Sequence, residues 1–553
     1  MALLKKLMRS LHGWTNAPAK TIAAAAFIIA AAGVVSRILG FLRDRLLASQ
    51  FGAGDVLDAY YAAFRIPDLL YNLLVMGALS AAFVPVFTDL VARGKEKEAW
   101  KLATGMLEWM IILLGALSVM VFAVAPWLVT VLVPGFSPDK QAAVAELTRI
   151  MLLSPILLGI SAVFGGVLVS FRRFVAYSFA PIFYNLGIIA GVIFLVPEMG
   201  VSGLAWGVVA GAFLHMLVQI PAVRSSGFPL SAFRRKLSFD PMVRRVTMLM
   251  IPRSLGMAAN QIGLLLTTVF ASSLASGSLA VFTLASNIQS IPIGLFAVAF
   301  SLAAFPMLSL AASKKDDRDF FSTLAATARR ILFFVVPISM LLIIFRAQFV
   351  RVILGSGQFD WEDTIATFGV LAWLSVSLFA QGLIPLFARG FYAIQDTKTP
   401  LYIALAAEAV HIALMPLLLP YFDVDALAMA FSAGSIVNFA LLLFFLRKRV
   451  SGWNDADLFS GSMRIVLATV FAGAIAQLSK SVFILAPSPL DTFAEVFLQL
   501  LFGVSVGLAA FLIASWWLRI EEFRSLKRWV LGKVLRQPEV ASSVEGHPEK
   551  GEW

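Results

Sequence analysis

Seven ionisable side chains fall within or beside the first two apolar stretches of the sequence: Arg37, Arg43, Asp44, Arg45, Asp58, Arg65 and Asp68. A charge at the centre of a membrane-spanning helix costs about 2.5–3.5 kcal/mol, so each needs a reason. Arg43 and Arg45 lie near a helix end and can snorkel to the interface; Arg37 is too deep to do so easily. Arg37 and Asp44 are seven apart, on one helical face, and Arg65 and Asp68 are spaced to pair. Ion pairs that lock helices together account for Asp44, Asp58 and Asp68 as readily as ligand contacts do. For Arg37, Arg43 and Arg65 a ligand is the better account, because guanidinium forks match phosphate oxygens bidentately. The ligand implied is an anionic, phosphate-bearing amphiphile.

Other polar groups sit along the later apolar stretches. Arg253 is placed to add positive charge from the second half of the chain. Glu408 and His411 lie one turn apart and suit a bound cation or a carried proton, or equally a hydrogen-bonded pair facing the bundle interior. Glu108 and His215 are nearer stretch ends and read as structural. Asn260, Gln261, Asn287 and Gln289 either line a path or bond across helices. Gly355–Asp360 is a turn and gate element, too short for a nucleotide loop. No GxxxxGKS, HExxH, GxSxG or dinucleotide fingerprint occurs, and cysteine is absent. Enzymatic chemistry, a metal centre and ATP-driven transport by this chain alone are not expected, and no cofactor is implied.

These side chains must be carried by membrane helices. Of 553 residues, 60% are apolar and 14% charged, and the mean hydropathy is +0.88, far from a soluble domain. Apolar stretches long enough to cross a bilayer recur at 22–49, 57–91, 99–133, 142–170, 175–196, 201–222, 243–273, 279–311, 320–346, 364–393, 400–420, 425–446, 462–482 and 493–518. The expectation is an all-α integral membrane protein with fourteen transmembrane helices. No period-two alternation supports a barrel. Basic residues follow every even-numbered stretch, which puts both termini in the cytoplasm; the net charge of +12 thus reflects topology, not nucleic acid. The first stretch reads as an uncleaved span, not a signal. Arg519–Gln537 reads as a basic amphipathic segment on the inner membrane surface, carrying Trp529, Val530 and Val534 among its apolar residues, and 538–553 as disordered.

The chain also repeats itself. Ser36-Arg37-Ile38-Leu39-Gly40 corresponds to Pro252-Arg253-Ser254-Leu255-Gly256, and Ala82–Pro85 to Ala304–Pro306, at offsets of 216 and 221 positions. Two six-helix lobes follow, related by a pseudo-two-fold along the membrane normal, with two helices appended. Parallel repeats of this kind mark transporters. The expected organisation is a basic segment 1–21, an N-lobe 22–222, a linker 223–242, a C-lobe 243–449, a helix pair 450–518 and a cytoplasmic end 519–553.

Ser36–Asp44, Phe51-Gly52-Ala53-Gly54 with Asp58-Ala59-Tyr60, Gly77–Pro85 and Arg389–Pro400, in this order on fourteen stretches, resemble the MurJ (MviN) lipid II flippases of the multidrug/oligosaccharidyl-lipid/polysaccharide exporter superfamily. The resemblance covers nearly all of 22–520. It implies translocation of lipid II, a polyprenyl pyrophosphate bearing a disaccharide-pentapeptide, from the inner to the outer leaflet of a bacterial cytoplasmic membrane. It further implies two lobes rocking about a cationic cavity, with the prenyl tail in a groove formed by helices thirteen and fourteen. Carried over by position, Arg37, Arg43 and Asp58 match functional positions and Arg65 a usually basic one. The chain is expected to act as a monomer among membrane lipids, alongside the cell-wall synthesis machinery.

The sequence also departs from the family pattern. Tyr71-Asn72 replaces a basic pair, Asn287 a cavity arginine and Ser290 a nearby acid, and Arg253 is expected to compensate. Positions that form a sodium site in some relatives are Thr267 and His411 here, so a proton or the membrane potential competes with sodium as the driving force. Rival readings are a flippase for another polyprenyl-pyrophosphate-linked glycan, a drug or ion antiporter of the same superfamily, a membrane enzyme acting on the same lipid, and a scaffold. Clustered arginines disfavour the antiporter and the scaffold; the lack of a metal or nucleophile set disfavours the enzyme.

Overall fold

The computed structural model describes residues 22–76, 82–229, 241–484 and 492–534, with backbone alone for 22–27, 76, 249, 251–260, 457, 483–484 and 529–534. The segments 1–21 and 538–553, residues 77–81 of the Gly77–Pro85 motif, and the side chains of Arg253, Asn260, Trp529, Val530 and Val534 lie outside the described residues. The described residues are helical throughout, with no strand among them.

Each of the fourteen apolar stretches falls on helix wherever it is described, apart from short breaks. The helices are α1 (Ile22–Phe51), α2 (Asp55–Tyr71), α3 (Val84–Ala92), α4 (Glu96–Leu132), α5 (Pro138–Met151), α6 (Leu153–Ser170), α7 (Phe174–Ala190), α8 (Ser202–Leu217), α9 (Pro241–Ser272), α10 (Ser278–Pro292), α11 (Val298–Ser313), α12 (Asp317–Ile344), α13 (Arg346–Ile353), α14 (Trp361–Val376), α15 (Leu378–Ala393), α16 (Lys398–Arg449), α17 (Asp455–Ser479), α18 (Phe493–Trp517) and α19 (Glu521–Val534). Nine of the described helical segments are long and apolar enough to cross a bilayer on their own, or ten with the pair α14–α15 bent by 44°. α16 is two crossings in one. Its 52 residues would reach about 78 Å as a straight helix, more than twice a hydrocarbon core of about 30 Å, and Asp423 breaks it with φ 48° and ψ −133°.

The repeat has a backbone counterpart. π turns interrupt the apolar runs at Asn72–Met76, Gly191–Leu195 and Ile293–Ala297. The first and last lie 221 positions apart, the offset that also separates Pro85 from Pro306. Such turns insert a residue into the helical ladder and re-aim the side chains that follow.

The chain divides into two compact units. The first comprises 1–290, 346–377 and 397–441; the second comprises 291–345, 378–396 and 442–553. Within the first, α7 packs on α1 and α8, α5 on α2, and α6 on α4. The α7–α8 seam is glycine against glycine. A Cβ on Gly187 would lie 2.3 Å from Gly211 Cα, and one on Gly191 2.4 Å from Gly207 Cα, so only bare backbone permits this approach. In the second unit α12 is central, touching α11, α15 and α17, while α17 pairs with α18. Phe333 meets Phe511 at 5.1 Å between ring centroids, and Arg329 Nε donates to Glu522 at 3.1 Å, fixing α19 to α12.

Candidate functional site

α1 and α2 are joined by a three-residue turn, so the charges they carry are neighbours by construction. Arg43 donates to Asp44 through Nε at 3.0 Å and Nη2 at 2.8 Å, and through Nη1 to Asn185 Oδ1 of α7 at 3.1 Å. Asn185 in turn donates to Ser36 and to Pro181 O. Asn287 of α10 donates to the other oxygen of Asp44 at 2.9 Å. Asp44 is 3% exposed and fully committed: Asn287 presents an amide that helps to satisfy this buried carboxylate. Arg65 donates to Thr268 of α9 at 2.8 Å and more weakly to Thr283 of α10. The pairing of Arg65 with Asp68 anticipated from their spacing is not made, because the Arg65 fork turns toward these hydroxyls. Arg37 is half-buried and has no hydrogen-bond or ion-pair partner among the described residues. Two of the three arginines therefore lack a carboxylate partner in the middle of an apolar bundle.

A second constellation gathers the short turns at one end of the first unit. Asp58, 1% exposed, accepts from Gly277 N at 2.8 Å, Ala280 N at 2.9 Å and Lys140 Nζ at 2.8 Å. It thereby caps the N-terminus of α10, where free amides and the helix dipole favour a carboxylate. Asp55 accepts from Lys140 at 2.6 Å and Ser276 at 2.7 Å, and these two hydrogen bonds hold its carboxyl below the usual range. Asp363 Oδ2 accepts from Ala53 N at 2.9 Å, Gln358 N donates to Ser49 O at 2.8 Å, and Arg45 donates to Val352 O. Gly277 has φ 89°, and a Cβ there would fall 1.7 Å from Ala53 O. The turns 52–54, 133–137, 273–277 and 354–360 thus meet in one hydrogen-bonded cluster, and Asp58 is occupied by it.

In α16, His411 Nδ1 lies 2.7 Å from Glu408 Oε1. His411 is 4% exposed, packs on Phe431 and leaves Nε2 without a partner among the described residues. Glu408 rests against Gly263 of α9, whose carbonyl accepts from Thr267 at 2.8 Å. No cluster of three or more metal-ligating side chains occurs among the described residues. In the second unit, Met340, Leu341, Ala472, Gly473, Gly507 and Phe511 line a small apolar crevice among α12, α17 and α18.

A family model described as "Lipid II flippase MurJ" matches residues 47–490. The chain belongs to the MurJ family. It is 31% identical over 427 residues to a protein of Burkholderia cenocepacia named lipid II flippase MurJ, covering 75% of this chain and 82% of that one. It is 30% identical over 436 residues to a probable lipid II flippase MurJ of Vibrio cholerae, covering 76% and 82%. Among solved structures, one titled "Lipid II flippase MurJ, inward closed conformation" matches with a TM-score of 0.73 at 23% identity, over 92% of this chain and all of that one. One titled "Inward-facing conformation of a multidrug resistance MATE family transporter of the MOP superfamily" matches with a TM-score of 0.62 at 16% identity, over 75% of this chain and 95% of that one. These establish the exporter fold and an integral membrane protein of a transport family.

Several residues of this MurJ member were not singled out from sequence. Lys140, Asn185, Ser276 and Asp363 complete the polar clusters from distant positions, whereas Gln358 belongs to the turn Gly355–Asp360 already read from the sequence. Lys140 carried a weak signal: it sits in the first turn of α5, where the helix dipole disfavours a cation, so it needs an anionic partner. Asn185 gave none, since an amide within an apolar helix is commonplace.

Proposed function

We propose that the protein moves lipid II across the bacterial cytoplasmic membrane from the inner to the outer leaflet by alternating access. The headgroup pyrophosphate engages Arg37 and Arg65 while the prenyl tail stays in lipid. The observation that carries this reading is Arg37: a half-buried guanidinium in an apolar helix, without a partner among the described residues, in a family of lipid flippases. An unpaired charge there is a lasting cost, and a diphosphate that arrives and leaves is the ligand that offsets it. Arg43, Asp44, Asn185 and Asn287 act as the rigid wall behind it. Arg253 adds charge from the second repeat.

The lobes 22–222 and 243–449 are the moving bodies, joined by the linker 223–242, and 450–518 supplies the tail path, a role suited to its two apolar, membrane-length helices α17 and α18. The positive-inside pattern puts both termini in the cytoplasm and the turn cluster outside. Asp58 then acts as a latch that holds the outer side closed, not as a direct ligand. Thr267, Glu408 and His411 form the candidate coupling site; sodium, a proton or the membrane potential drives the cycle, the last at about 2.3 kcal/mol per charge per 100 mV. The protein works as a monomer and hands its product to the cell-wall synthesis machinery.

The test is rescue of a strain depleted of its own flippase, scored by outer-leaflet lipid II. The parent chain rescues, and Arg37→Ala does not. Full rescue by Arg37→Ala combined with Arg65→Ala would end the arginine mechanism.

A further inference from the structure

Asp68 is the one group of the arginine cluster that neither a structural contact nor the proposed headgroup site absorbs. It lies one turn beyond Arg65 on α2 and just before the π turn at Asn72–Met76. Its side chain is exposed, and it has no hydrogen bond or ion pair among the described residues. The charged groups that act on it are Arg65 of its own helix and Arg43 of α1. Its phenolic neighbours are Tyr60 and Tyr71 of α2 and Tyr184 of α7. The other helices that pack on α2, namely α5, α6 and the described side chains of α9, contribute no further charged group to this set.

An anion drawn to Arg65 must approach this carboxylate. Two like charges brought within one helical turn of each other repel, and the ionised form of each becomes less favourable. The arginines on hand, Arg65 and Arg43, are those the ligand itself engages or those already tied to Asp44. The cheapest remaining response is uptake of one proton from water by the Asp68 carboxylate.

We propose that Asp68 takes up a proton when the pyrophosphate headgroup binds beside Arg65, so that anion binding and proton binding at α2 are linked. This rests on the arginine-site reading above. Reciprocity follows: the anion raises the affinity of Asp68 for a proton, and protonation of Asp68 raises the affinity for the anion by the same factor. A headgroup carried outward would bring a proton with it, reducing the net charge moved.

The test uses full-length protein in detergent micelles and a short-chain prenyl diphospho-sugar, a diester whose phosphate charges do not titrate near neutral pH. Calorimetric titrations in buffers of different protonation enthalpy, between about pH 5.5 and 8, count protons taken up per ligand bound. The wild type takes up as much as one proton, and its affinity weakens by up to tenfold per pH unit as pH rises through the carboxyl's range. Asp68→Asn binds with no linked uptake and a flat pH profile, and Asp68→Glu restores the linkage. Binding by the wild type without proton uptake, or uptake that persists in Asp68→Asn, overturns this proposal and leaves the arginine site standing. Absence of wild-type binding at every pH removes the arginine site and this inference with it.

Discussion

Arg37 and Arg43 sit two turns apart on one helix yet stand in opposite energetic situations. Arg37 has no partner among the described residues, so truncation removes an uncompensated charge from an apolar bundle. Arg37→Ala should leave thermal stability unchanged or raise it, by at most about 2.5–3.5 kcal/mol, while abolishing rescue; this is the signature of a residue kept for function against stability. Arg43→Ala instead strips Asp44 of its main partner and leaves a buried carboxylate, at a cost of about 3 kcal/mol. Unfolding of the two variants in the same detergent separates these outcomes. If both lose stability alike, Arg37 has a partner after all and the anion reading weakens. The arginines were legible in the sequence because charge in an apolar run is conspicuous. Their partners were not: Asn185 lies 142 positions from Arg43 and Asn287 lies 243 from Asp44, and no spacing rule links residues so far apart.

At the scale of elements, the helices were legible almost throughout, since lipid requires every backbone group to be satisfied within its own segment. The fine structure was not. The π turns at Asn72–Met76 and Ile293–Ala297 carry no residue type that announces them. The α7–α8 seam was legible only in kind: glycine in a span suggests close packing, but not which helix approaches. The coordinates fix this, and a contrast tests it. Gly187→Leu drives a side chain into Gly211 and should cost about 1–3 kcal/mol, as overpacking does elsewhere. Gly115→Ala, in α4 with nothing within 4 Å of the added Cβ, should be neutral or stabilising by about 0.5–1 kcal/mol through helix propensity. Equal effects of the two on thermal unfolding would mean that the seam is looser than drawn.

For the whole molecule, the decisive question is what holds the turn cluster shut. Three donors converge on Asp58 and two on Asp55, and the segments they join come from three separate parts of the chain. Hydrogen bonds to a charged group contribute about 1.5–3 kcal/mol each. Asp58→Asn keeps the shape but sets an amide N–H₂ against donors and removes the charge facing Lys140. A loss of about 2 kcal/mol shifts an opening equilibrium by roughly thirtyfold. The chain has no cysteine, so spin labels at Asp139→Cys and Ala275→Cys report this cluster without background. The wild type should give one short distance, and Asp58→Asn a second, longer population. Acid should do the same through Asp55. Its carboxyl is held below the ordinary value of 3.8 by Lys140 and Ser276, so its contribution is present above that pH and is lost as pH falls through the depressed value. The short distance should therefore persist from neutral pH down to about 4 as far as Asp55 is concerned, and the long population should grow only below it. In Asp55→Asn that acid-induced growth should shrink, with Asp58 and its bond to Lys140 carrying the remainder. Loosening of the wild type already at pH 6, and unchanged in Asp55→Asn, would place the controlling group elsewhere and leave Asp55 a bystander to the latch.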